Sequence, residues 1–252
     1  MRNLPPPGTR SSVSVLFLAL LMAAVTIAPA ARAGVVLAVD FDSFSSVDDT
    51  ETGFNKWNVG FNDFNGPSSM VFGAYTATIA ADITVDGSGN INGTGAMLGR
   101  ERTSPNVDAG SFTYDDLYRD LLLGKTGVIS LEVAGLDLNT AYNVTVFAYD
   151  DSGSGSTTFT NRTGGASATL GTISWTAATV FDSSTPNNIY ALTSSVTSDS
   201  SGRIIISSVG PSNGPGRING FIIESVPEPS AALLLGFLGL TGLAVRRRRI
   251  LD

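Results

Sequence analysis

Carboxylates are the side chains through which this chain could most readily do chemistry. The 252 residues include no histidine and no cysteine. That absence removes a Ser-His-Asp triad, a Cys-His pair and every His-ligated zinc or iron centre. What remains is Asp40, Asp42, Asp48, Asp49, Asp115, Asp116, Asp120, Asp150 and Asp151. Two carboxyl groups facing each other across a cleft, one protonated and one charged, would hydrolyse a glycosidic bond. Most of these aspartates stand in turn-like or strand-end sequence, where Asp commonly bonds the backbone. No G-x-S-x-G pattern marks a serine nucleophile. No residue is therefore assigned a catalytic role.

Oxygen-rich loops offer a second chemistry. Calcium takes six to eight oxygens from carboxylates and carbonyls. "VDFDSFSSVDDTE" (Val39 to Glu51) and "YDDSGSGS" (Tyr149 to Ser156) supply such atoms, without the twelve-residue helix-loop-helix pattern. A structural calcium is the one cofactor the sequence leaves room for. Aromatic rings offer a third chemistry, stacking on a sugar. Trp57, in the polar run "NKWNVGFNDFNG", is the candidate platform, with Arg100 and Arg102 of "GRERTS" as hydrogen-bond donors to hydroxyls. Trp175 sits in an alternating segment and is assigned to the core.

These groups must be held by strands. The body is rich in Gly, Ser, Thr, Asn, Val and Ile, a composition that favours strands and turns. Candidate strands are "VVLAVDF" (Val35 to Phe41), "MVFGAYTATIA" (Met70 to Ala80), "GVISLEVAGL" (Gly127 to Leu136) and "AYNVTVFAYD" (Ala141 to Asp150). "ATLGTISWTA" (Ala168 to Ala177), "IYALTSSVT" (Ile189 to Thr197), "GRIIISSV" (Gly202 to Val209) and "RINGFIIESV" (Arg217 to Val226) follow. The middle pair alternates with period two, and the short "DLNT" link suits an antiparallel connection between them. Gly87 to Gly99 reads as a long loop, and Ser111 to Gly124 as a short helical insert. The expectation is all-β: a single antiparallel, jelly-roll-like β-sandwich.

The ends read differently. Residues 1–33 form a basic start, an apolar run and Ala31-Arg32-Ala33, the pattern of a secretory signal cut between Ala33 and Gly34. The body, 34–226, then carries 20 acidic and 8 basic residues, a net charge of −12 against −7 for the whole chain. Such a body repels phosphates, which excludes nucleic acid as a partner. Residues 227–252 open with Pro227-Glu228-Pro229. They continue through the uncharged stretch 231–245 and reach Arg246, Arg247, Arg248 and Arg249. A helix of those 15 uncharged residues spans roughly 23 Å, short of a hydrocarbon core of about 30 Å. The arginines would hold its end on the cytoplasmic side. The expectation is a signal helix at the start and a transient transmembrane helix at the end.

This three-part ending, Pro-Glu-Pro, apolar helix and basic cluster, resembles the PEP-CTERM sorting signal of Gram-negative bacteria, often those that make exopolysaccharide. The resemblance implies recognition of Pro227, Glu228 and Pro229 by an exosortase, with the helix removed on processing. It implies a cell-surface or extracellular-matrix destination. "SLEVAGLDLNTAYNVTVFAYD" in the body resembles jelly-roll, galactose-binding-like and fibronectin-type modules, which share architecture without sharing function. The reading is thus an exported, noncatalytic sandwich with exopolysaccharide as its candidate ligand. Two alternatives stand beside it: a small carbohydrate-active enzyme using carboxylates, and a structural or adhesive subunit with no small ligand.

Overall fold

Alternating apolar residues build two sheets that share one core. The computed structural model describes residues 34–42, 50–60, 64–85, 91–102, 110–125, 127–176 and 179–226. Residues 1–33 with the cleavage residue Ala33, and 227–252 with the Pro-Glu-Pro motif, the apolar stretch and Arg246–Arg249, lie outside the described residues. The smaller sheet contains, in spatial order, β12 (Ala191–Thr197), β9 (Ala141–Phe147), β15 (Gly220–Ser225), β1 (Val35–Asp42) and β2 (Asn55–Asn58). The larger contains β11 (Ala168–Trp175), β10 (Gly155–Asn161), β13 (Arg203–Val209), β8 (Ile129–Ala134), β5 (Tyr75–Val85), β6 (Ile91–Glu101), β7 (Asp120–Gly124) and β14 (Arg217–Ile218). Beside it, β3 (Phe64–Asn65) pairs with β6 and β4 (Ser68–Phe72) with β5. Pairing is antiparallel except between β1 and β2, which run parallel. The expected all-β sandwich is what the chain forms.

The core draws on both sheets. Ile129, Leu131 and Val133 of β8 and Tyr142, Val144 and Val146 of β9 point into it, as their alternation predicts. Phe41 packs on Phe221 within the smaller sheet, ring centroids 6.1 Å apart, and Trp57 of β2 meets Phe72 of β4 across the core at 5.9 Å. Trp175 is buried, as expected.

Four expectations need correction. First, β8 and β9 do not pair with each other. β8 lies between β13 and β5, and β9 between β12 and β15. Both strands are apolar on one face, so they belong to opposite layers, and the link between them crosses from sheet to sheet. The crossing is pinned by the Asp137 amide donating to the Tyr142 hydroxyl and by Asn139 in the left-handed region at φ 51°.

Second, the stretch read as a loop at Gly87 to Gly99 contains most of β6, an 11-residue strand. Its glycines allow close approach: a side chain on Gly99 would collide with the Gly60 carbonyl. Third, the helical insert is only α1 (Asp115–Arg119). From Asp120 the chain is β7, paired with β6 and β14. Leu121 and Leu122 are both fully buried, which a strand between two neighbours achieves and a one-sided surface helix does not. Fourth, the oxygen-rich loop read at Tyr149 to Ser156 ends early: from Gly155 the chain is already a strand, β10. In addition, "MVFGAYTATIA" folds back on itself at Gly73 (φ 62°), giving the hairpin of β4 and β5.

The final segment breaks at Asn219, fully buried, where the chain leaves β14 in the larger sheet and enters β15 in the smaller. The Asn219 side chain accepts from the Tyr149 amide at 2.6 Å and donates to the Asp120 and Tyr118 carbonyls at 2.5 and 3.3 Å. It thus fastens α1 and β7 to the smaller sheet.

Candidate functional site

The outward residues of the smaller sheet make a face that is polar along two rows and has an aromatic wall at one end. Phe221, Ile223, Tyr142, Val144 and Val146 face the core, so their neighbours in sequence face out. Register aligns Glu224, Asn143 and Ser195 in one row across β15, β9 and β12, then Ile222, Thr145 and Thr193, then Gly220, Phe147 and Ala191. The Thr145 and Thr193 hydroxyls bond each other at 2.8 Å on the exposed surface.

Over the last row sits α1. Gly220 has no side chain, and one built there would lie 2.6 Å from Leu117 Cδ1 and 2.5 Å from the Val39 carbonyl. That gap lets the helix settle on the sheet. Tyr114, just before α1, meets Phe147 edge-on at 5.8 Å and Phe54 at 5.6 Å. Phe54 and Tyr114 are both half-buried at the edge of the core. Burial first, then the charges of Glu51 and Glu224, raise the Tyr114 hydroxyl above the usual phenol range, so it stays a neutral donor. Glu51, Asp115 and Asp116 each bring a carboxylate oxygen to within 4.8 Å of the other two. Half-buried aromatic residues beside clustered acceptors can take a sugar, through stacking and through hydrogen bonds to its hydroxyls.

Beneath the wall lies Asp40, fully buried on β1. Its Oδ2 accepts from the Glu51 amide at 2.8 Å, while Oδ1 is buried with no hydrogen-bond partner. Desolvation, and then the neighbouring Asp120, Asp42 and Glu51 carboxylates, hold its pKa well above the ordinary range despite the Glu51 hydrogen bond.

The residues predicted for sugar binding fall elsewhere. Trp57 is 1% exposed, packed 5.4 Å from Phe41, and offers no free ring face. Its neighbours Lys56 and Asn58 are exposed, so the polar surroundings that suggested a loop are the outward positions of a short strand. Arg102 is committed to an ion-pair network. Its Nε donates to Asp150 Oδ1 at 2.8 Å and lies 3.4 Å from Asp151, while Arg217 Nε donates to Asp150 Oδ2 at 2.8 Å. The Arg217 guanidinium also rests over Trp175, 5.4 Å from the ring centroid. Burial pushes the Asp150 carboxyl up, but the bonds from Arg102, Ser152 and Arg217 outweigh it and hold the group well below the usual carboxylate range. This network ties the ends of β6, β9 and β14 together. Arg100 stands on β6 opposite Leu121, half-buried.

Sequence reasoning missed Phe54, Tyr114 and Glu224 as site residues, and read Glu51 only as part of an oxygen-rich loop. Asp115 and Asp116 were visible as adjacent acids, but nothing in the sequence shows Phe54 folding back beside them.

By fold the body is an antiparallel β-sandwich. Its ending defines it further: residues 225–249 match the PEP-CTERM protein-sorting motif. The motif marks an exported protein, processed by an exosortase at the cell envelope and destined for the cell surface or extracellular matrix. No curated protein matches the chain. Among solved structures, the CBM22-1–GH10 modules of Clostridium thermocellum xylanase 10B, complexed with xylohexaose, share 12% identity at TM-score 0.31. That match covers 76% of this chain and 28% of the other, so this chain spans little more than a quarter of that structure's length. The carbohydrate-binding module CBM6cm-2 of Cellvibrio mixtus lichenase 5A, in complex with cellotriose, shares 15% identity at TM-score 0.24, covering 66% and 98%. The K1 adhesin domain of Lys-gingipain from Porphyromonas gingivalis shares 11% at TM-score 0.30, covering 64% and 98%. At these TM-scores the likeness assigns neither ligand nor chemistry to this chain.

Proposed function

We propose that the body is a noncatalytic polysaccharide-binding module, exported by the signal at residues 1–33 and placed in the extracellular matrix through its sorting tail. The observation that carries this reading is the half-buried Phe54–Tyr114 pair beside the carboxylates of Glu51, Asp115 and Asp116. A glycan chain would stack on the two rings and run along the rows Glu224–Asn143–Ser195 and Ile222–Thr145–Thr193. Aromatic surface supplies affinity, and the fixed acceptors supply orientation. The net charge of −12 disfavours acidic polymers, so the ligand is a neutral polysaccharide.

The carboxylate geometry speaks against hydrolysis as the role of this site. A retaining glycosidase separates its two carboxyls by about 5–5.5 Å, and an inverting one by about 6.5–9.5 Å, with the sugar between them. Here oxygens of three carboxylates crowd within 4.8 Å of one another. Such a cluster suits hydroxyls or a cation better than a bond held between two acids.

A glycan array probed with the exported protein tests the proposal. Binding to neutral polysaccharide that falls at least tenfold in Tyr114→Ala, with unchanged thermal stability, is the expected result. An array with no neutral polysaccharide above background, together with concentration-dependent self-association, would favour a structural subunit instead.

A further inference from the structure

Two carboxyl groups on β1 are buried with an oxygen unsatisfied, and a lysine stands beside them. Phe41 and Trp57 pair across the parallel β1–β2 ladder and both face the core. Asp40 and Asp42 on one strand and Lys56 on the other therefore share the opposite face, with Asp40 directly across from Lys56. That face is covered at this point, for Asp40 and Asp42 are both buried. Lys56 Nζ is in ion-pair contact with Asp42 Oδ2. Yet neither Asp42 Oδ2 nor Asp40 Oδ1 accepts a hydrogen bond among the described residues. A buried ion pair offsets its desolvation only where the remaining lone pairs and protons are also satisfied. Joining this pair as an amide would remove both charges and expel one of the two Asp42 oxygens as water.

We propose that Lys56 and Asp42 join in an intramolecular isopeptide bond, with Asp40 as the acid that assists its formation. Within the pair a proton passes from the ammonium to the carboxylate, an exchange that a poorly solvated site favours. The neutral Nζ then attacks Asp42 Cγ. The C–N bond forms and one C–O bond breaks. The hydroxyl leaves as water on a proton from Asp40, which Nζ replaces, so Asp40 ends as it began. Burial above all holds the Asp40 pKa well above the ordinary range, which keeps that proton in place to be given. No external reagent is consumed. Holding amine and carboxyl in contact supplies the effective concentration that amide formation in water lacks. The bond would fasten β2, an edge strand of four residues, to β1 in a chain with no cysteine for a disulfide. The proposal stands independently of glycan binding, and its test contains no glycan.

Mass spectrometry of the full chain, purified in detergent and then denatured, tests this. One sample is digested at glutamate and another with trypsin. Glu51 lies between the partners in sequence, so cleavage after it separates Asp42 from Lys56 unless they are bonded. The two fragments are expected to stay joined, lighter than their sum by one water, and trypsin should fail to cut after Lys56. Lys56→Arg keeps a cation beside Asp42 but should give separate fragments. Asp40→Asn, folded by circular dichroism, should leave most of the chain unjoined. Three results would each overturn the proposal: parent fragments that separate with Lys56 open to trypsin, a loss of water confined to the Asp42 fragment (a cyclic imide), or full joining in Asp40→Asn.

Discussion

Tyr114 and Trp57 show how residue type and residue role separate. Both are aromatic residues in polar sequence, yet one is half-buried beside three carboxylates and the other is sealed between Phe41 and Phe72. Trp57→Ala is therefore expected to destabilise the fold by about 3–5 kcal/mol, as a cavity under both sheets, measured by urea unfolding. Tyr114→Ala should leave stability nearly unchanged and remove binding. Asp150 gives a prediction in pH. Its folded-state pKa is depressed, so its contribution is fully present above the unfolded value of about 3.9 and is lost as pH falls through the folded value. Asp150→Asn should cost about 2–3 kcal/mol at pH 7. The gap between variant and parent should stay constant down to about pH 5 and shrink below about pH 4, in urea unfolding across that range. None of this was legible in the sequence, because Asp150, Arg102 and Arg217 are far apart in the chain and meet only when three strand ends come together.

At the scale of elements the sequence was most legible where a strand has one apolar and one polar face. β1, β8, β9, β11, β12, β13 and β15 each appear as alternating or apolar runs, and each was expected within a few residues of its ends. The elements that escaped have other compositions. β6 is rich in glycine, one of which, Gly99, lies against the Gly60 carbonyl, and β2 is four residues long with three exposed side chains. β7 follows a helix without a breaker. The topology was also out of reach, since alternation gives a strand's two faces but not its neighbours. The junction at Asn219 and Gly220 is where the elements are coupled. Asn219→Ala leaves the Tyr149 amide and two backbone carbonyls without their buried partner, at about 1–3 kcal/mol for each group left unsatisfied. Gly220→Ala places a methyl 2.5 Å from the Val39 carbonyl, a backbone atom that cannot step aside. Calorimetry should show both variants with a lowered Tm. In Gly220→Ala, glycan affinity should fall as well, because α1 and Tyr114 are lifted from the sheet.

For the whole molecule, the ends of the body meet. At the end of the β1–β15 ladder the Ser225 amide donates to the Gly34 carbonyl at 2.9 Å, and the Gly34 amide donates to the Ser225 hydroxyl at 3.1 Å. β15 lies at the middle of the smaller sheet and runs into the sorting motif, which begins at residue 225. The sheet therefore cannot close until almost all of the body has been exported, and the sorting signal follows without a linker. Removing 227–252 should leave a folded sandwich that appears in the medium instead of on the cell, as fractionation would show.

The central claim is that glycan binds on the outer face of the smaller sheet at the aromatic wall. Backbone amide shift mapping by NMR, during titration with a neutral oligosaccharide chosen from the array, tests it most directly. The account predicts saturable changes at 51–54, 113–116, 143–145, 193–195 and 222–224, absent in Tyr114→Ala. Changes confined to the larger sheet or to the Arg102–Asp150–Arg217 network, or none at saturating glycan, would contradict it.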